Sequence, residues 1–537
     1  MKHTLVRRAA AIRTATALGL AASVLAVPGS GLAGAATGDT NPGDIVLGAI
    51  TLAQAAATTP FPGITRTVYQ DADRTWTVNV MDIDPNRAPI TFDGSIGQGM
   101  YTTQTVQEML EQTTGVTSRR PYLGVNGGYF DDGVVLDQTA RIYLGDLGGT
   151  SMKNGRLLSE AGGGRYAYDP VTGKAVGLRP ANSVLMLQNG RPYITELGTA
   201  LTVRLSDDAT VSRKVDGVNR LPGRAGHCLR NTDPANTDVT VAGGVCFDPS
   251  EIVEFTPEFG ARTPAADLLK QTATTTDDDP GVEVLFNAAG VATACFRPGA
   301  TAGGIVSDAP RGGHDVPPGG RALEGTGDGA AWLWDNACAG RPVSLHTVVT
   351  DTRFGDTVAD TWFGRAPAGA VERPIDPAMY ATPVGDVLIR DATVVYQVPG
   401  DTARAWRTAG GADGFGHLFF VTVEGQKGGP APLAAGATRS ELAQLLKALN
   451  LVDAVNMDGG GSTTLNLRDP NGSEPPVTTT TDSAPRHVAD TVYAAVGGYG
   501  LAKKARTPAR PGPLVGPADG RATRRPGAAS PAAARSS

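Results

Sequence analysis

At 537 residues, with 47 Lys and Arg against 53 Asp and Glu and a net charge of −6, the chain is long enough for two or three folding units. It lacks the basic excess that releases counterions from a phosphate backbone, which excludes general nucleic-acid binding. No stretch reaches the ~20 consecutive apolar residues of a membrane-spanning helix.

In chain order, residues 1–36 read as a secretory signal. Lys2, Arg7, Arg8 and Arg13 precede an Ala/Leu/Val run that ends in small residues near Ala36. The pair Arg7 and Arg8 leaves the general and the twin-arginine export routes both open. The expected location is secreted or extracellular, the cell envelope included.

Beyond residue 44, "TRTVYQDADRTWTVNVMDIDP" places Trp76, Val78 and Val80 in alternation with polar residues, the pattern of a half-buried strand. "TTQTVQEMLEQTTG" is expected to be a helix stopping at Gly115. "RPYLGVNGGYFDDG" reads as a short apolar strand that ends in Asn126 and a glycine pair. Residues 204–350 hold Cys228, Cys246, Cys295 and Cys338 with strand-like pieces such as "GVEVLFNAAGVATACF", and read as a β-rich insertion or subdomain. An even cysteine count in an exported chain implies disulfides. Of the three connectivities, short-loop closure favours Cys228 with Cys246 and Cys295 with Cys338.

"ARAWRTAGGADGFGHLFFVTVEGQ" reads as strand, glycine turn, strand. In "TRSELAQLLKALNL", Thr438 and Glu441 form a capping box, and Leu442, Leu445, Leu446 and Leu449 share one helical face that serves as core. That helix delivers the strand "LVDAVNMD", where Asn456 and Asp458 face the same way by period two. The expected fold class is α+β, with mixed or antiparallel sheets and flanking helices, in one domain over residues 44–500. Residues 501–537 are rich in Pro, Ala and Arg and too poor in large apolar side chains to fold. This basic tail is expected to be disordered and solvated; loose electrostatic contact with an anionic cell wall is the sharper alternative.

Three consecutive glycines follow Asp458 in "LVDAVNMDGGGSTTLNL", each costing about 0.5 to 1 kcal/mol relative to alanine in regular structure. Taken alone the motif reads as a tight hairpin turn; because "GVNGGYFDD" and "AWRTAGG" are further polar strand ends with glycines, the expectation is a concave nest in which the backbone N–H groups of Gly459, Gly460, Gly461 and Ser462 face an oxyanion. Asp458 stands at its rim as nucleophile or base, with the hydroxyls of Ser462, Thr463 and Thr464 as donors. Scattered histidines form no HExxH, there is no GxSxG, and "DIDP" and "TDDDP" lack the spacing of a calcium loop. No cofactor is evident, and dependence on a divalent metal stays open.

Four segments, "LGVNGGYF" at 123–130, "RTAGGADGFGHLFFVTVEGQ" at 407–426, "TRSELAQLLKALNLVDAVNMDGGGSTTL" at 438–465 and "PRHVADTVYAAVG" at 485–497, resemble the phosphodiester glycosidase family. The resemblance implies hydrolysis of a sugar linked through its anomeric carbon to a phosphodiester. It implies catalytic roles for Asp458, Asn126 and Arg407. Arg407 and the Gly459–Ser462 backbone would hold the phosphate, Asn126 and Thr408 would orient sugar or phosphate oxygens, and Arg486 would be a second anion contact. Many members carry Asp-Gly-Arg where this chain has Glu424, Gly425 and Gln426. The implied partner is a glycan-phosphodiester, such as a cell-envelope polymer or exopolysaccharide. Two other readings stand beside it: a non-catalytic envelope glycan-binding protein, and a phosphodiesterase that breaks the P–O bond.

Overall fold

In the computed structural model, the described residues are 43–497 apart from 88, 101, 114–119, 131–133, 136–140, 143–146, 162–165, 169–174, 179–180, 189–190, 221, 223, 226–239, 243–244, 248–249, 261, 265–279, 427–434, 469–476 and 481–484. The segments expected to be a signal, 1–36, and a disordered tail, 501–537, and Cys228 therefore lie outside them.

The alternation around Trp76 becomes an antiparallel pair, Ile64–Asp71 with Trp76–Ile83, inside a nine-stranded sheet. Across that sheet the order runs Ile45–Leu47, Ile50–Phe61, Ile64–Asp71, Trp76–Ile83, Leu418–Gly425, Arg407–Ala412, Asp453–Asn456, Val387–Arg390 and Thr393–Val394. Every neighbouring pair is antiparallel.

Trp76, Val78, Val80, Val421 and Val423 cover one face, and Leu442, Leu445, Leu446 and Leu449 of the Arg439–Ala448 helix pack onto them. Thr438 and Glu441 make the expected capping box, which satisfies N–H groups that a helix start would otherwise leave bare. On the opposite face, Met81, Phe420, Val455 and Met457 meet Leu123, Val125, Val492 and Ala494. Those residues belong to a five-stranded antiparallel sheet ordered Val477–Thr480, Thr464–Leu467, Arg120–Asn126, Thr491–Val496 and Ile90–Ser95. The Val106–Gln112 helix, capped by Thr105 and Glu108, closes the far side with Val106, Met109 and Leu110 against Tyr493 and Ala495.

The result is a two-sheet sandwich with one helix on each outer face. The α+β expectation thus holds in its antiparallel sheets and covering helices, but the described chain is mostly strand and its helices are few and short. No described helix is long and apolar enough to cross a membrane.

An eight-stranded sheet is joined to this sandwich. Along its Ala181–Gln188 strand, Leu185 and Leu187 enter the sandwich core, whereas Val184 and Met186 enter a second core. That second core continues through Val203, Val343 and Leu345 to Val282, Val284, Phe286 and Leu323 of a six-stranded mixed sheet. Arg191–Leu205 pairs with Val343–Asp351 from Leu197↔Asp351 to Leu205↔Val343. The cysteine-containing region is therefore held between two paired strands and shares their core. Cys295 and Cys338 are bonded to each other; the pairing of Cys228 with Cys246 falls outside the described residues.

Candidate functional site

The strands ending at Asn126 and Asn456 and the strand starting at Arg407 come together at one end of the sandwich. Asn126 is fully buried; its Nδ2 donates to the Asp458 carbonyl at 2.7 Å, and its Oδ1 accepts from Thr408 Oγ1 at 2.8 Å and from the Thr464 N–H at 3.1 Å. One side chain thus ties the two sheets to the backbone of Asp458. The resemblance assigns Asn126 and Thr408 to substrate oxygens. Both are buried and committed to each other and to the main chain, because an amide left unpaired there would cost about 1–3 kcal/mol.

The glycine pair after Asn126 is explained by a carboxylate that the sequence reading passed over. Asp490 is fully buried; its Oδ1 accepts the Gly128 N–H at 2.8 Å, its Oδ2 accepts the Tyr380 hydroxyl at 2.6 Å, and its carbonyl accepts the Gly127 N–H at 3.0 Å. A Cβ on Gly127 would lie inside that carboxylate, and one on Gly128 would strike the Pro383 carbonyl. Burial raises the Asp490 pKa, with the hydrogen bonds from Tyr380 and Gly128 acting in the opposite direction. The Gly127 carbonyl in turn accepts the Asp458 N–H at 3.2 Å. The only local sign of this role was an aspartate placed directly before the wholly buried strand Thr491–Val496.

The three glycines after Asp458 have three separate causes. A Cβ on Gly459 would sit 2.8 Å from the Trp406 carbonyl. Gly460 has φ +60°, the left-handed region. A Cβ on Gly461 would fall within 2.5 Å of Arg486 Cζ, because that guanidinium lies over the turn.

The expected open nest is corrected by the hydrogen bonding. The Gly459 N–H is taken by Asp458 Oδ1 at 2.8 Å, the Gly460 N–H by the Trp406 carbonyl at 2.8 Å, and the Ser462 and Thr463 N–H groups by Gly459 and Gly460 at 3.2 Å each. Gly460–Ser462 is a tight 3-10 turn. The Ser462, Thr463 and Thr464 hydroxyls, expected as donors to substrate, are buried beneath it. What the turn presents outward is the half-buried side chain of Asp458 and the covering Arg486.

Arg407 is only 7 % exposed, and its Nε and Nη2 donate to the carbonyls of Ala437 at 3.0 Å and Ala403 at 2.6 Å. Among the described residues no carboxylate lies within ion-pairing distance of Arg407 or of the exposed Arg486. Burial lowers the Arg407 pKa from its ordinary value, and Tyr129, Arg439, Asp401 and Tyr396 are near enough to act on its charge. Asn456 donates through Nδ2 to the Tyr129 hydroxyl at 2.8 Å. Tyr129, from "NGGYF", and Arg439, from the helix start, are site neighbours that no spacing rule singled out.

By strand alternation Glu424 shares a face with Thr422 and Thr408, opposite to that of Arg407. Asn79 Nδ2 donates to its Oε1 at 2.6 Å, and burial pushes its carboxyl up to about 7, with Arg66, Asn79 and Thr422 acting against that rise. Three histidines are committed elsewhere, His417 to Asp82 at 2.9 Å, His314 to Glu283 at 2.5 Å and His346 to Asp360 at 2.7 Å. Among the described residues no group of three or more His, Cys, Asp or Glu is arranged to hold a metal ion.

Residues 336–495 match the family model described as phosphodiester glycosidase, which bears out the resemblance over the segment holding Arg407, Asp458, the three glycines and Arg486. Asn126 and Tyr129 precede that segment. The chain is also similar to the crystal structure of a Burkholderia pseudomallei protein inferred to be exported, at TM-score 0.55 and 19 % identity over 80 % of this chain and 75 % of that one. This is a likeness of fold. Weaker likenesses are to a hypothetical protein from Synechocystis, at TM-score 0.49 and 16 % identity over 83 % of this chain and 62 % of that one, and to the catalytic domain of zebrafish N-acetylglucosamine-1-phosphodiester alpha-N-acetylglucosaminidase, at TM-score 0.29 and 14 % identity over 82 % and 86 %. No curated protein matches the sequence.

Proposed function

We propose that this chain, which carries a phosphodiester glycosidase segment over residues 336–495, is an exported hydrolase that cleaves the anomeric C–O bond of a sugar-1-phosphodiester in a glycan or envelope polymer. One observation carries the reading. A buried guanidinium and an exposed one, Arg407 and Arg486, flank the turn that bears Asp458, and neither has a carboxylate partner among the described residues. A buried cation held only by carbonyls is incomplete, and a phosphodiester supplies the missing charge in a geometry suited to a guanidinium fork.

With the phosphodiester held, its departure as a phosphate monoester needs little protonation, so a single carboxylate suffices for the sugar side. Asp458 faces the anomeric carbon and either stabilises the oxocarbenium-like transition state or bonds to it. Water then adds its oxygen to that carbon, and the phosphate monoester keeps the bridging oxygen. Asn126 is a positioning residue, since it fixes the Asp458 backbone and Thr464 with one buried amide.

The test is turnover of a panel of sugar-1-phosphodiesters in oxygen-18 water. Label in the released sugar is expected. Label in the phosphate would establish P–O cleavage instead, and turnover of none, with saturable binding retained, would favour a glycan-binding protein.

A further inference from the structure

We infer that Arg439, ion-paired with Asp386 and laid over Tyr396, is the specificity-determining subsite for the hydroxyls of a neutral pyranosyl group, while Arg407 and Arg486 take the phosphate. The inference rests on the reading of the site as one for glycosyl phosphodiesters.

Position comes first. The Ala437 carbonyl that accepts Arg407 Nε lies two residues before Arg439, the first residue of the helix. On the other side, the Asp386 carbonyl accepts the Asn456 N–H at 2.9 Å and the Asn456 carbonyl accepts the Gly385 N–H at 2.8 Å. The pair is thus stitched by backbone hydrogen bonds to the segment bearing Asp458 and joined by a short run of chain to the support of Arg407.

Charge decides what it can hold. Arg439 Nη1 donates to Asp386 Oδ2 at 2.7 Å, with the two side chains 30 % and 28 % exposed. Asp401 lies close as well, its Oδ2 accepting the Ser440 N–H at 3.1 Å and its charge acting on Arg439. An anion here would meet two carboxylates; a neutral hydroxyl can accept from the guanidinium and donate to Asp386 at once. The guanidinium is also kept in place, with its Cζ 5.2 Å from the Tyr396 ring centroid.

Two buried polar atoms beside this pair lack partners. Arg439 Nε and the Tyr396 hydroxyl are buried with no hydrogen-bond partner, and Tyr396 is only 8 % exposed. Such groups are uncommon in a finished interior. At Arg407 no carboxylate among the described residues lies within ion-pairing distance; at Arg439 the charge is paired with Asp386 and the Nε donor lacks a partner.

The experiment uses the full chain and two probe sets, neutral methyl α-hexopyranosides and dimethyl phosphate, with affinities measured by ligand-observed NMR. Arg439→Met keeps the stem and removes the donors. It is expected to weaken methyl hexopyranoside binding by about tenfold or more, the size of one to two lost hydrogen bonds, and to leave dimethyl phosphate within about twofold. On a sugar-1-phosphodiester that is turned over, KM is expected to rise more than kcat falls, and the preference for the parent sugar over its deoxy analogue to collapse. Asp386→Asn, which preserves shape, serves as the second variant if Arg439→Met fails to unfold cooperatively. Wild-type protein that binds no methyl hexopyranoside, or variants that bind it as the wild type does, would overturn the assignment. Failure of every phosphodiester to turn over, with hexopyranoside binding still dependent on Arg439, would overturn the hydrolase reading alone.

Discussion

Arg220 and Arg407 are both buried guanidinium groups, and their surroundings differ in kind. Arg220, 1 % exposed in the cysteine-containing region, meets Glu251 with both Nη atoms at 2.9 and 2.5 Å, Glu160 with Nε at 3.1 Å and the Asp216 carbonyl at 3.2 Å. Burial opposes its charge, but Glu251, Glu160 and Asp216 more than restore it and its pKa is raised. Among the described residues Arg407 donates to two carbonyls and has no carboxylate within ion-pairing distance; burial lowers its pKa, with the more distant Asp401 acting against that fall. A buried cation ringed by carboxylates is compensated within the scaffold, whereas Arg407, with no carboxylate in ion-pairing distance among the described residues, suits the proposed role of phosphate contact.

Substitutions can break this contrast from either side. The largest effect is expected at the proposed catalytic carboxylate: Asp458→Asn should lower turnover of a sugar-1-phosphodiester by about 10³-fold or more, with the unfolding midpoint nearly unchanged. On the scaffold side, Arg220→Met strands Glu251 and Glu160 in the interior and should cost about 3–5 kcal/mol in urea unfolding. Its activity per folded molecule should remain. For Arg407→Lys, which keeps charge but loses the planar fork, the expectation is the reverse: stability within about 1 kcal/mol and a fall in kcat/KM of about 10- to 100-fold. Equal stability losses for Arg220→Met and Arg407→Lys would dissolve the distinction.

The glycines give a finer version of the same test. Gly461→Ala must displace Arg486, whereas nothing lies within 4 Å of a Cβ on Gly460 and its cost is the positive φ alone. Gly460→Ala should therefore lower stability by about 1 kcal/mol with modest change in KM, and Gly461→Ala should chiefly weaken phosphodiester binding.

The smallest effect concerns Glu424. Its carboxyl, raised to about 7, favours the protonated form when folded. That contribution is complete below the ordinary carboxyl pKa and is lost as pH rises through about 7. Glu424→Gln should match the parent near pH 4 and exceed it in thermal midpoint near pH 8. A constant difference across that range would exclude Glu424 as the cause.

The sequence by itself determined what depends on near neighbours. The capping box at Thr438 and Glu441, the leucine face of the helix, the alternation around Trp76, and the strand that ends at Asn126 and the one leading to Asp458 all follow from local spacing and propensity. Tertiary structure decided which polar groups at those ends are used up by other parts of the chain. The Gly460 N–H looked open in the sequence because the Trp406 carbonyl that accepts it is brought there by folding. Asn126 looked like a substrate contact because Thr408 and Thr464, which use its amide, come from hundreds of residues away. Asp490 and Arg439 were hidden for the same reason. A hydrogen bond or ion pair needs both partners in place, and only packing of the two sheets and the helix brings the second partner within reach.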